Sequence, residues 1–134
     1  MTGRGLATLL LCGSLTACGG APDSTAATAP GERLYALHCS ACHQRDGRGI
    51  EGVQPALAGA PTVAGDLQPL IRWVLFGERP PALVSQRRAS VMPVFGWLSD
   101  DEVAAILTHV RGAFGNGSTP VTAAMVGAER RLRH

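Results

Sequence analysis

Lysine is absent from this chain of 134 residues; all 12 basic side chains are arginine. Any docking surface must therefore use guanidinium groups or apolar contacts. Net charge is only +2 with neutral histidines, so the electrostatic footprint of a nucleic-acid binder is missing. Aromatic residues make up 4% of the chain, thin material for the core of the one domain this length allows. The apolar run from Leu6 to Leu15 is too short to cross a bilayer as a helix. No stretch alternates convincingly enough to be read as a strand, which argues against folds built on a βαβ unit.

The cysteines are few and fall into two pairs, Cys12 with Cys18 and Cys39 with Cys42. An even count in an exported chain ordinarily signals disulfides. Here each cysteine has a more specific use or lies in a segment that is removed, so no structural disulfide is expected. A single positive charge, Arg4, followed by Leu6 to Leu15 has the build of a secretory signal. The run ends in Leu15-Thr16-Ala17-Cys18-Gly19, which resembles the lipobox of bacterial lipoproteins. That resemblance implies a signal peptide over residues 1–17 and a lipidated Cys18 as the mature N-terminus; the competing reading is ordinary cleavage after small residues. By the same resemblance, Gly19 in place of aspartate points to an outer membrane where the cell has one. Several acyl chains anchor stably where one does not. Up to Pro30 the chain is Gly, Ala, Pro, Ser and Thr with a single charge, so residues 18–30 read as a flexible tether.

Cys39-Ser40-Ala41-Cys42-His43 is a C-x-x-C-H run, the pattern of a c-type haem attachment site. Two thiols at this spacing can form thioethers to the two vinyl groups of one porphyrin, and the adjoining imidazole is then held to ligate the iron. A buried porphyrin also supplies the apolar area that the scarce aromatics do not. Export agrees with this, because bacteria attach c-type haem outside the cytoplasm. Two other uses of the pair are less consistent with the chain. A thioredoxin-like dithiol needs a βαβ pattern, and half a zinc site needs further ligands at suitable spacing.

Leu34, Tyr35, Leu37 and His38 suggest one short amphipathic helix over residues 31–42, entered through Pro30 and broken near Gly47 and Gly49. His38 lies on a different face from His43 and reads as a surface or packing residue. The arrangement Gly31…Tyr35…Cys39-x-x-Cys42-His43…Gly47-x-Gly49…Pro55-x-Leu57…Met92-Pro93 resembles a class I cytochrome c over about residues 31–115. The resemblance implies an all-α fold, three to five short helices wrapped around one covalent haem, with essentially no sheet. It assigns residues 31–117 to the cytochrome c domain and 118–134 to a C-terminal extension. It implies that Pro55 offers its carbonyl to the ring N–H of His43, fixing the tautomer and making the ligating nitrogen more basic. It also implies that Met92 is the second axial ligand of the iron, opposite His43. A thioether there favours ferrous iron relative to nitrogen donors and raises the reduction potential. Pro93 restricts Met92 to extended backbone, and Met125 is a poor rival because it lies beyond the domain.

Leu67, Leu70, Ile71, Val74 and Leu75 follow helical spacing between an N-cap at Asp66 and a terminating Gly77. Trp73 on this helix has three uses open to it: core packing, the commonest, packing on the haem edge, or an indole N–H offered to a haem propionate. Arg79, Arg87 and Arg88 follow in a stretch without periodicity; a solvated loop is the commoner reading of each, contact with a haem propionate or a partner's acidic surface the other. Ser99-Asp100-Asp101-Glu102 is a capping box, and the helix it starts aligns Val103, Ile106, Leu107, Val110 and Phe114 before ending near Gly115. In the family this helix crosses the first one at the Gly31/Tyr35 face with an aromatic residue of its own. His109 stands there in this chain, a departure expected to loosen the crossing but not to abolish the fold. Residues 122–132 are compatible with a terminal helix whose basic end, Arg130 to His134, is expected to be solvated.

The function these features imply is one-electron transfer, with no catalytic residues. The segment from Met92 to Val103 is most similar to haem domains in cytochrome subunits of membrane-bound bacterial dehydrogenases. That similarity implies a dehydrogenase as electron donor, a cytochrome or terminal oxidase of the respiratory chain as acceptor, and a place at the periplasmic face of a membrane. The competing function is a haem enzyme or a gas or redox sensor with an open sixth coordination site.

Overall fold

The computed structural model describes residues 29–83 and 91–133. Cys12, Cys18, Arg87, Arg88 and the leader reading lie outside the described residues. Pro30 at the first helical position opens α1 (Pro30–His38). The single helix expected over residues 31–42 is interrupted. Cys39 leaves helical geometry at φ −120°, ψ −35°, and the chain restarts as a single turn, α2 (Ser40–His43). Ser40 donates its hydroxyl to the Ala36 carbonyl at 2.7 Å, which braces the break.

After α2 the chain turns at Gly47 and Gly49, both at positive φ. Gly49 is needed for more than its dihedral. A Cβ there would run into the Gln54 carbonyl oxygen and lie 2.6 Å from that of Pro55. Its missing side chain lets the 54–55 segment fold back over α2, pinned by reciprocal bonds between Ile50 and Gln54. That isolated bridge is the only β pairing among the described residues.

A proline-initiated turn, α3 (Pro61–Ala64), leads into α4 (Leu67–Phe76), which buries Leu70, Ile71, Val74 and Leu75. Asp66 occupies the N-cap position, but its carboxylate makes no capping bond. Gly77 does close the helix, in the left-handed region at φ 75°. A 3₁₀ turn follows at Pro81–Leu83. The capping box forms as expected: the Glu102 N–H donates to Ser99 Oγ at 3.3 Å, and the Ser99 N–H to Glu102 Oε2 at 2.8 Å. It starts α5 (Asp100–Gly112), whose buried face carries Val103, Ala104, Ile106, Leu107 and Val110. Phe114 is not on that face. The helix stops at Gly112, and Phe114 sits beyond it at φ 55°. Thr122 caps the last helix, α6 (Ala123–Leu132). The described residues are therefore all-α with six helices, more than the three to five expected because two are single turns.

Packing of α1 on α5 organises the fold. The His109 substitution does not loosen this crossing. A Cβ on Gly31 would run into the Ala105 carbonyl oxygen and lie 3.0 Å from His109 Cβ. Next to this contact, Tyr35, His109 and Phe114 form a three-ring cluster with centroids 5.3–5.6 Å apart. The backbones here have no slack, so Gly31→Ala is expected to destabilise the loaded protein by about 2 kcal/mol or more. An unchanged denaturation midpoint in G31A would show that the helices can separate without loss.

The basic C-terminus is not simply solvated. Arg130 is half-buried and bonds Asp100 at 2.6 Å. Arg133 stacks its guanidinium 4.2 Å over the Phe76 ring. Val126 is fully buried, and Thr108 exchanges two bonds with Val121, at 3.0 and 2.9 Å. These contacts dock α6 against α4 and α5.

Candidate cofactor site

A cavity of about 540 Å³ lies inside this frame, well within the roughly 300–1,000 Å³ of cofactor and ligand sites. Its walls are largely apolar and come from several parts of the chain: Leu70 and Val74 of α4, Ile106, Leu107 and Val110 of α5, and Phe95 from the connection between them. Cys39, His43, Pro55 and Met92 line it as well. A smaller recess of about 60 Å³ shares Cys39, His43, Pro55, Trp73, Met92 and Phe95 with the first and adds Cys42 and His38. All five residues singled out in the sequence, Cys39, Cys42, His43, Pro55 and Met92, are thus brought to one place.

The local chain course explains the arrangement. The break at Cys39 places both cysteines and His43 in the cavity wall within one turn. The fold-back permitted by Gly49 brings the Pro55 carbonyl 3.0 Å from His43 Nδ1. With Nδ1 donating to that carbonyl, Nε2 is the nitrogen left to bind a metal. His43 is only 8% exposed; burial pulls its pKa below the ordinary value, against the opposing effect of the carbonyl, and favours the neutral form that ligates. Burial, with Cys42 nearby adding to it, pushes the Cys39 thiol up to about 11. The pair sits at a break between two helical segments, and among the described residues there is no βαβ unit to carry a thioredoxin-like dithiol. Among the described residues no group of three or more Cys, His, Asp or Glu could hold a metal ion.

Other expectations divide. His38 packs edge-on against Trp97 at 5.4 Å and lines only the small recess, in keeping with a packing role. Met125 is 42% exposed on α6 and takes no part in the cavity. Trp73 is a cavity-wall residue, half-buried and shared by both spaces. The stretch Ala60–Val63 also lines the cavity, a role no pattern in its residues signals; a short Ala/Pro segment has no periodicity to read.

The family model for cytochrome c matches residues 28–113, which is well over half of the chain. The chain belongs to the cytochrome c family. With the family come haem c and its iron as cofactor, and electron transfer as the role in place of catalysis. The deep apolar cavity, the paired thiols at its edge and the oriented imidazole suit that cofactor. Among curated relatives, the chain is 38% identical over 105 residues to the gluconate 2-dehydrogenase cytochrome c subunit of Pantoea cypripedii, covering 75% of this chain and 24% of that one. It is 38% identical over 107 residues to cytochrome c-552 of Thermus thermophilus, with 72% of each chain covered. It is 35% identical over 105 residues to the fructose dehydrogenase cytochrome subunit of Gluconobacter japonicus, covering 72% of this chain and 21% of that one. The chain thus spans about a quarter or less of the dehydrogenase subunits and most of the Thermus cytochrome.

Proposed function

We propose that this cytochrome c is a one-electron carrier with His43 and Met92 as axial ligands, working between a dehydrogenase and a respiratory acceptor. The observation that carries the ligand assignment is the convergence of His43 and Met92, from remote parts of the chain, on one apolar cavity. Bound haem supplies the ferric/ferrous couple. The chain's residues do the rest. The Cys39 and Cys42 thiols would hold the haem by adding across its two vinyl groups as thioethers, and the Pro55 carbonyl fixes the tautomer and aim of His43. Met92 would supply the iron with a soft thioether donor, which would raise the potential and leave no position for substrate. The rim beside the small recess is apolar and exposed: Val91 is 89% and Trp97 68% accessible. In a chain without lysine, such a rim supports docking to a partner largely through apolar contact.

The printed names of the relatives support a dehydrogenase as donor, with a cytochrome or terminal oxidase as acceptor. The leader supports export and an anchor at Cys18 on the periplasmic face of a membrane, the outer one where present. Among the described residues no helix is long and apolar enough to cross a membrane. Mass spectrometry of the mature N-terminus tests the anchor, with an acylated Cys18 expected. An alkaline pyridine spectrum tests the attachment. Red colour that survives denaturation and acid-acetone extraction is expected, and colour lost to the organic phase would refute thioether linkage. Rapid carbon monoxide binding by the unmodified ferrous protein would instead favour the sensor reading.

A further inference from the structure

We infer that Arg130, on the terminal helix, is a positioning residue for the Met92 side of the cavity. This rests on the reading of Met92 as an iron ligand. The segment that runs from Met92 into α5 has little regular structure of its own; one backbone bond, from the Phe95 N–H to the Val74 carbonyl at 2.9 Å, ties it to α4. The Arg130 guanidinium grips the same segment at three alternate residues. Nη1 donates to the Gly96 carbonyl at 2.5 Å, Nη2 to the Leu98 carbonyl, and Nε to Asp100 Oδ1 at 2.6 Å. A planar fork with fixed donor directions holds three acceptors in one register, which a lysine cannot do. Charge-assisted bonds of this kind are also the stronger ones.

The grip is only as firm as the helix that carries it, and α6 is well seated. Gly127 packs so close to the start of α5 that a Cβ would lie 2.7 Å from Asp100 Oδ2. Glu129, 4% exposed, faces Arg72 of α4 at 3.6 Å. The terminal helix lies outside the residues matched by the family model, yet it holds the connection four to eight residues after Met92. It thereby biases the methionine toward its place in the cavity wall and against swinging away.

An added ligand such as imidazole can bind the iron only in the fraction of molecules whose methionine is displaced. Its apparent affinity therefore reports that fraction directly. In the ferric holoprotein, Arg130→Gln is expected to raise imidazole affinity about tenfold. Arg130→Lys, which keeps the charge beside Asp100 but loses the fork, is expected to raise it about threefold. Arg133→Ala is the control: the same helix loses its contacts with Phe76 and Glu78 but keeps its grip on the segment. It is expected to lower the melting temperature while leaving imidazole affinity within twofold. Unchanged affinity in R130Q would overturn the inference, as would an equal rise in R133A, which would make the effect one of general stability. Should R130Q not fold, unchanged affinity in R130K would overturn it equally. A wild-type ferric spectrum without the weak red band of iron–methionine ligation would instead remove the Met92 reading itself.

Discussion

Met92→Ala is expected to give a protein that keeps its haem through denaturation but loses the weak red absorption of iron–methionine ligation. Cys39, Cys42 and His43 are carried by α1, α2 and the break between them, far along the chain from residue 92, so attachment and the first axial ligand survive the change. Met92 is the one methionine among the described residues that reaches the cavity, since Met125 sits exposed on α6. Among the described residues no other thioether is placed to substitute for it. Removing a soft, uncharged donor favours ferric iron. The reduction potential is expected to fall by on the order of 0.1–0.2 V, a fraction of the roughly 0.8 V span that axial ligands set. The vacated side should admit small molecules, so the ferrous variant should bind carbon monoxide rapidly where the parent does not. Redox titration and stopped-flow mixing measure both. A variant with an unchanged red band and potential would show that the iron takes its second ligand from elsewhere.

Chemistry tied to short motifs is legible in the amino-acid sequence alone. C-x-x-C-H and Met-Pro point to residues that the fold brings to one cavity, and the Ser99 box forms its capping bonds. Chemistry that depends on backbone meeting backbone is not legible in this way. Gly49 reads as a helix breaker, whereas its larger role is to let the Pro55 carbonyl approach His43. His109 reads as a weak point because an aromatic is usual there; the imidazole is itself a flat ring and joins Tyr35 and Phe114. The interruption at Cys39 is hidden because residues on both sides are helical and hydrophobic periodicity is blind to one-residue breaks. Arg130 is hidden more completely. Its partners are two carbonyls and a carboxylate some thirty residues away, and a basic tail at a chain end ordinarily reads as solvated. Local patterns carry the cofactor's attachment, while long-range contacts carry its support.

Cys39→Ala combined with Cys42→Ala, produced without haem, is expected to yield a chain with helical content but no cooperative melting transition. Val63, Leu70, Val74, Phe95, Ile106, Leu107 and Val110 belong to the buried core and also face the cavity. The side chains that must hold the protein together are thus largely those that would contact the porphyrin. Without haem, those side chains lose the contacts a porphyrin would make across a space of about 540 Å³, and a core that lacks partner atoms over such a volume forfeits much of its packing whether the space stays dry or fills with water. Whole domains of this size are stable by only about 5–15 kcal/mol, so the walls cannot stay rigid and the core collapses around a different packing. Local signals persist under those conditions: the capping box at the start of α5 and Pro30 at the start of α1 do not depend on the cavity. The expected signature is retained far-ultraviolet dichroism, lost near-ultraviolet dichroism and binding of a hydrophobic dye. Calorimetry decides the matter. A sharp endotherm from the haem-free variant, close to that of the loaded protein, would mean that the fold is complete without its cofactor and that the scarcity of aromatics has some other explanation.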